Sequence, residues 1–382
     1  MQVSVIEDRR NPFSKRLLMS DSGGHERSAS LLGAQAWLTR VPPTHPEDFR
    51  PSFSEHSVCI RRPDSIGFLV AHPTAEQQRR FLECLRSAGC ILYDLVDHFA
   101  LLPPIDQPAG KARLGRRLTA NEEVTALKTA IDDDEKSQLI NEVQFLLDLH
   151  HDGIVRACGI YHVKVEGALA LGMLLDYKQG GDLRSWIPTG GLPEEIVRGI
   201  IAPLCDALAY LHRLPVAHRD VKPSNVLCDR AADGSVKVVL ADFGLAAYAM
   251  DLKTMSRRCG TGGFIAPEML SPNWTEHLQA ETVTNITKID VFSFGMLIYT
   301  AIFGNNPLVD VTSTSTPQRN VRALLSPSIM ASRSDELHYL LSGLCAKNPH
   351  ERFSTSEALA APWFSSDRSS VAWAALEAAA RG

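Results

Sequence analysis

Two polar clusters at a fixed separation constrain this chain more than any other feature of its sequence. His218-Arg219-Asp220-Val221-Lys222-Pro223-Ser224-Asn225 is followed, seventeen residues past Asn225, by Asp242-Phe243-Gly244. The first cluster lies on a loop after an amphipathic helical run of Ile196, Ile200, Leu204, Leu208 and Leu211, which Pro203 is expected to kink. A short apolar strand, Asn225 to Cys228, leads out of it, and a second strand, Val236 to Leu240, delivers Asp242. Two carboxylates and one amide therefore converge on one cleft.

That trio has a chemical reading. Hard, octahedral Mg²⁺ takes a few protein oxygens and completes its shell with water and phosphate, which suits Asn225 and Asp242 as ligands. Asp220, five residues before Asn225, is left free of metal to accept a proton from an attacking hydroxyl, while Lys222 neutralises a phosphoryl group in transfer. Alone, either tripeptide is a surface turn; the order and spacing together carry the argument.

Other charged residues fall into register with it. Thr125-Ala126-Leu127-Lys128 closes an expected strand, and Glu142 lies fourteen residues on, in a helix whose core face is Leu139, Val143 and Leu146. The helical register turns Glu142 toward the strand, so an ion pair with Lys128 is expected. Ala266-Pro267-Glu268 ends a segment that began at Asp242, and Arg352 is its expected mate; losing one partner of such a buried pair costs about 3–5 kcal/mol. Asp290 sits in an apolar helix where an unpartnered acid would be costly, so it requires hydrogen-bond donors.

Composition sets the frame. The chain has 382 residues, 45% hydrophobic and 22% charged, with a net charge of −5. That composition excludes wholesale disorder, and the charge gives no reason to expect nucleic acid as a partner. Eight scattered cysteines without CxxC pairs fit neither a disulfide framework nor a zinc site, and point to a reducing, cytoplasmic setting. The longest apolar stretch, Val291 to Phe303, falls short of the roughly 20 residues that span a bilayer, so no transmembrane segment is expected.

With these motifs in order over about 265 residues, the chain resembles a eukaryotic-type protein kinase. The resemblance implies an α+β, two-lobed fold. Its N-lobe is a five-stranded antiparallel sheet with one helix, its C-lobe is mainly helical, and Mg-ATP binds between them. It places Lys128 on the α- and β-phosphates, oriented by Glu142, and gives Asp220, Lys222, Asn225 and Asp242 the roles argued above. It also implies nucleotide contacts from Gly110, Ala112, Ala126 and Leu227, from Leu175 at the gatekeeper position and from the hinge residues Asp176 and Tyr177. Asp182 would meet the ribose or a substrate side chain. Lys222, two residues after Asp220, and Thr261 in CGTGGFIAPE resemble the serine/threonine branch, so the expected substrates are Ser and Thr hydroxyls of proteins. Kinases with an arginine before the catalytic aspartate, here Arg219, are commonly switched on by phosphorylation between Asp242 and Glu268, which singles out Thr254 and Ser256.

The phosphate-binding loop departs from the family. In place of G-x-G-x-x-G-x-V the chain has Ile105-Asp106-Gln107-Pro108-Ala109-Gly110-Lys111-Ala112, keeping only the last glycine. Pro108 donates no N–H, Asp106 adds negative charge near a triphosphate, and Ala112 stands where valine would cover adenine. The alternative reading is therefore a pseudokinase or scaffold with impaired ATP binding.

Outside residues 96–365 the signals thin. Residues 1–55 read as a flexible leader with at most one strand, at Ala36 to Val41. Residues 56–95 carry two short strands (Ser57 to Ile60, Ile66 to Val70) and a helix opened by Thr74 with Gln77 as a capping box. This order resembles the closing part of a pleckstrin-homology domain, with Phe81 where that family carries tryptophan; the other reading is a helical extension packed on the next domain. The first of these readings would give the N-terminal segment a lipid or protein partner. Residues 366–382 form an Ala-rich helix expected to dock through Trp373 and Leu376.

Overall fold

The computed structural model describes strands and short stretches within residues 2–117, then residues 124–165, 168–306, 308, 325–365 and 370–381. The chain divides into two compact units, Met1–His150 with Arg156–Tyr177, and His151–Val155 with Lys178–Gly382.

The first unit is built on a nine-stranded sheet of order β6-β5-β4-β7-β11-β12-β10-β9-β8. Its strands are β4 (Gln35–Leu38), β5 (Ser57–Arg61), β6 (Phe68–Ala71), β7 (Ile91–Leu92), β8 (Phe99–Pro104), β9 (Ala112–Arg117), β10 (Val124–Ala130), β11 (Ala157–Val165) and β12 (Ala168–Asp176). The run β8-β9-β10-β12-β11 is the antiparallel five-stranded sheet expected from the sequence. It is extended by β7, which pairs parallel to β11 through Ile91 opposite Ile160, and beyond it by β4, β5 and β6. Strand β12 lies between two neighbours, and Ala170 to Leu175 is buried without a break; such a strand reads as a continuous apolar run rather than an alternating one.

Residues 1–55 differ from expectation. Besides β4, they carry β1 (Gln2–Asp8), β2 (Asn11–Ser20) and β3 (Glu26–Ser30) in a separate antiparallel sheet. Lys15 and Arg16 interrupt β2 with charge, which hides the alternation that would have announced a strand. Of the helix expected from Thr74, Arg80, Cys84 and Leu85 are helical; Phe81 and its other positions lie outside the described residues.

Helix α1 (Asp133–Asp148) begins at the N-cap Asp132, whose carboxylate accepts the Glu135 N–H at 2.8 Å, and three acids in its first turn complement the helix dipole. Its buried face is Leu139, Glu142, Val143, Phe145 and Leu146.

In the second unit the described helices are α2 (Glu194–Arg213), α3 (Leu252–Met255), α4 (Trp274–Ala280), α5 (Val283–Phe303), α6 (Pro327–Met330), α7 (Asp335–Leu344), α8 (Thr355–Leu359), α9 (Pro362–Ser365) and α10 (Trp373–Arg381). They are joined by two small antiparallel sheets, one pairing β13 (Val216–Ala217) with β16 (Ala247–Tyr248) and the other the hairpin of β14 (Val226–Arg230) and β15 (Val236–Leu240). Helix α2 runs through Pro203 as one element. Helix α5 is the core of the unit, packed on α2 and α7. By length and composition it could cross a membrane, yet every residue from Ile286 to Ile302 is buried within the fold, the pattern of a central core helix. Gly304 ends it at φ 81°, a left-handed turn that suits glycine.

Candidate functional site

The second unit's polar cluster is organised by the β14–β15 hairpin. Val226 pairs with Leu240, and the Ala241 N–H donates to the Asn225 carbonyl at 2.8 Å, so Asn225 and Asp242 emerge from the same end. Asn225 itself closes a 3-10 turn, Pro223–Asn225, rather than opening the strand. Its Nδ2 donates to the Asp220 carbonyl at 2.9 Å and to Asp220 Oδ2 at 3.0 Å. Both partners are acceptors, which fixes the amide orientation and leaves Oδ1 as an acceptor. An amide oxygen beside a carboxylate is a hard donor set, and it fits Mg²⁺.

Asp220 is 7% exposed and accepts from three side chains. Lys222 Nζ donates to Oδ2 at 2.7 Å, Asn225 Nδ2 to the same oxygen, and the Thr261 hydroxyl to Oδ1 at 2.7 Å. Lys222 Nζ also donates to Thr261 Oγ1 at 2.6 Å, closing a triangle of carboxylate, ammonium and hydroxyl. Thr261 was expected only as a branch marker; its place in this network was not foreseen. The signal available was its position in CGTGGFIAPE, but nothing in a 41-residue separation reveals a hydrogen bond.

Beneath this network lies Asp290, fully buried in α5. It accepts the His218 N–H at 2.7 Å, the Arg219 N–H at 2.8 Å and approaches His212 Nε2 at 3.2 Å, which supplies the donors its burial demanded. Burial alone would raise its pKa, but the bond and charge of His212, the charge of His218 and the Arg219 N–H together hold the carboxyl below its ordinary value. The same contacts hold Arg219 at φ 68°, a left-handed conformation that L-residues adopt at a cost. Asp242 is also left-handed, at φ 64°, with Phe243 buried behind it edge-on to the His218 ring at 4.7 Å. His218 Nε2 lies 3.0 Å from the Ala241 carbonyl, tying the two motifs together.

The Arg219 guanidinium reaches the carbonyls of Leu245 and Arg257, and its Nε has no partner among the described residues. Helix α3 is capped by Asp251, which takes both the N–H and the hydroxyl of Thr254, while the Ser256 hydroxyl donates to the Lys253 carbonyl at 2.8 Å. Further on, Arg352 grips Glu268 with two bonds of 2.6 and 2.9 Å, as expected, and also donates to the Lys288 and Ala346 carbonyls.

In the first unit Lys128 Nζ meets Glu142 Oε2 at 2.7 Å, joining β10 to α1. Glu142 is fully buried whereas the lysine side chain keeps a third of its surface. Lys128 stands opposite Ala112 on β9 and Met173 on β12, and Ala126 stands opposite Leu175. Gly110 and the altered loop from Ile105 lie outside the described residues. Asp176 Oδ1 takes Arg156 at 3.3 Å, and Tyr177 follows it at the end of the unit.

Asp182 and Leu227, in the second unit, bridge one another. The Asp182 carboxylate caps the 3-10 turn Leu183–Trp186 by accepting the Ser185 N–H at 3.0 Å. Lys178 lies 3.5 Å from Asp229.

The protein kinase domain family model matches residues 109–364. The chain is 28% identical over 269 residues to the Aurora kinase of Schizosaccharomyces pombe, covering 68% of this chain and 70% of that protein. It is 30% identical over 227 residues to the serine/threonine-protein kinase cds1 of the same yeast, covering 58% and 47% of the two chains. To the yeast's protein kinase domain-containing protein ppk9 it is 31% identical over 265 residues, covering 67% and 46%. The chain thus spans under half the length of the last two. Its ordered motifs, its antiparallel sheet with one helix, its mainly helical second unit and the match over most of its length together place it in the eukaryotic-type protein kinase family, in the serine/threonine branch.

Proposed function

We propose that this protein transfers the γ-phosphate of Mg-ATP to serine and threonine hydroxyls of protein substrates. The observation that carries the reading is the Asp220 carboxylate, held as an acceptor by Lys222, Thr261 and Asn225 at 2.7–3.0 Å. A carboxylate fixed in this way is suited to take the proton of an incoming hydroxyl as the phosphorus–oxygen bond forms. Lys222, already on Asp220, balances the negative charge that develops. Asn225 and Asp242 are the residues that would hold Mg²⁺, which supplies charge neutralisation at the phosphates.

Lys128 is assigned to the α- and β-phosphates. Glu142 keeps its ammonium extended by a 2.7 Å contact at a buried acid, where the pairing of the two charges is needed to offset desolvation. The nucleotide's base and sugar are assigned to Ala112, Ala126, Leu175, Asp176, Tyr177, Asp182 and Leu227, with Gly110 at the phosphates. In the structure Asp182 caps a turn with one oxygen, so a role toward ribose would fall to its other lone pairs.

The competing reading is a scaffold that folds around the same motifs without turnover, favoured by the altered loop at Asp106 to Gly110. Purified protein incubated with Mg-ATP and a panel of generic protein substrates decides between them. Phosphoserine or phosphothreonine in the hydrolysed products, lost on omission of Mg²⁺, is expected; folded protein that labels nothing overturns the kinase reading in favour of the scaffold.

A further inference from the structure

Helix α10 lies beyond the residues that the kinase family matches, yet it is built into the fold. The Val236 N–H donates to the Val371 carbonyl at 2.7 Å and the Trp373 N–H to the Gly234 carbonyl at 2.9 Å, fixing the first turn of α10 to the tip of the β14–β15 hairpin. Leu376 is fully buried and Trp373 is 9% exposed. The Trp373 ring stands edge-on to Trp186, with centroids 5.0 Å apart at 76°.

Trp186 in turn donates its Nε1–H to the Gly180 carbonyl at 2.7 Å. A methyl group at Gly180 would collide with the Trp373 ring and come within 2.9 Å of the Cys228 carbonyl, so this position admits only glycine. The Gly180 N–H donates to Cys228 O at 3.0 Å and the Cys228 N–H to Gly181 O at 2.8 Å, which zips the segment onto β14 just before Asp182 bridges Leu227. Two successive glycines, the second at φ 66°, followed by a single 3-10 turn, give this stretch little rigidity of its own.

We propose that Trp373 is a positioning residue, a wedge carried by α10 that immobilises Gly180–Asp182 and so presents Asp182 and Leu227 to the nucleotide. The proposal rests on the reading that these two residues contact ATP. It acts through packing, without touching the reacting atoms.

Trp373→Ala and Trp373→Phe in the full chain test it, at a temperature where both stay folded. For Trp373→Ala we expect amide exchange over residues 178–186 to quicken about tenfold and the ATP KM to rise about tenfold, with kcat changed less than about twofold; Trp373→Phe, which keeps a ring, returns both toward wild type. Unchanged exchange over 178–186 overturns the proposal, as does a fall of kcat at constant KM. Wild-type protein that transfers no phosphate defeats the kinase reading alone. In that case exchange, together with calorimetric titration of ATP, still decides the role of Trp373: faster exchange with weaker binding supports it, and no change in either refutes it.

Discussion

Asp290 sets the geometry of the loop that carries Asp220. It is buried completely, and three donors converge on it, two of them backbone N–H groups of the loop that carries Asp220. Removing it would strand those donors in an apolar core and release the left-handed turn at Arg219. Asp290→Ala is therefore expected to cost about 3–5 kcal/mol of stability, read from denaturant midpoints at unchanged slope. A loss below about 1 kcal/mol would mean that water or another side chain replaces it. The need for partners at this position was legible from one acid in an apolar helix; their identity was not, because His218 and Arg219 lie some seventy residues away and act through backbone atoms. Thr261 was opaque for a similar reason, whereas the Lys128–Glu142 pair was legible because strand and helix register both pointed at it.

At the scale of elements, caps and junctions carry the second unit. Glu194, in the first turn of α2, accepts from Ser334 at the N-cap of α7 and from Trp363 Nε1 in α9 at 2.7 Å, with Arg198 at 3.3 Å. Burial opposes ionisation, but the Ser334 and Trp363 bonds and the Arg198 charge outweigh it and lower the pKa from its ordinary 4.5. A carboxyl with a lowered folded pKa contributes stability that is fully present above the unfolded value and is lost as pH falls through the folded one. Melting temperatures measured from about pH 6 down to about pH 3 should thus fall less steeply for Glu194→Gln than for wild type; parallel curves would contradict the assignment.

The stretch from Asp242 to Glu268 is a second such element. Thr254 is already committed to Asp251, where a phosphate would meet a carboxylate, whereas Ser256 adjoins Arg257, whose carbonyl holds Arg219. Peptide-level mass analysis of active protein is expected to find phosphate on Ser256 and not on Thr254. The reverse assignment, or an unmodified segment, would sink this expectation.

The glycine-poor loop bears on affinity. On the proposed placement, one or two lost N–H contacts to charged oxygens, each about 1.5–3 kcal/mol, would weaken ATP by about ten- to hundredfold apiece. Asp106→Gly with Pro108→Gly should lower the ATP KM at unchanged kcat, and an unaltered KM would show that the loop lies elsewhere in the sequence.

Across the whole molecule, local pattern announced what is near in sequence and missed what is far. The β14–β15 hairpin, α1 and α5 were readable from motif spacing, from the apolar face of Leu139, Val143 and Leu146, and from apolar runs. The pairing of β7 with β11, which extends the sheet from five strands to nine, joins residues nearly seventy apart and leaves no periodic mark. Docking of α10 through Trp373 and Leu376 was expected because so short an Ala-rich helix does not stand alone, but not the surface it covers, because Gly180 gives no hint of an indole above it. In the proposed reaction Asp220 takes the proton while other residues bind the nucleotide. Phosphate transfer and ATP binding measured side by side on wild type and folded Asp220→Ala separate the two roles: transfer is expected to fall by about 10²–10⁴-fold while ATP affinity is kept, and a variant that holds the wild-type rate would refute the assignment.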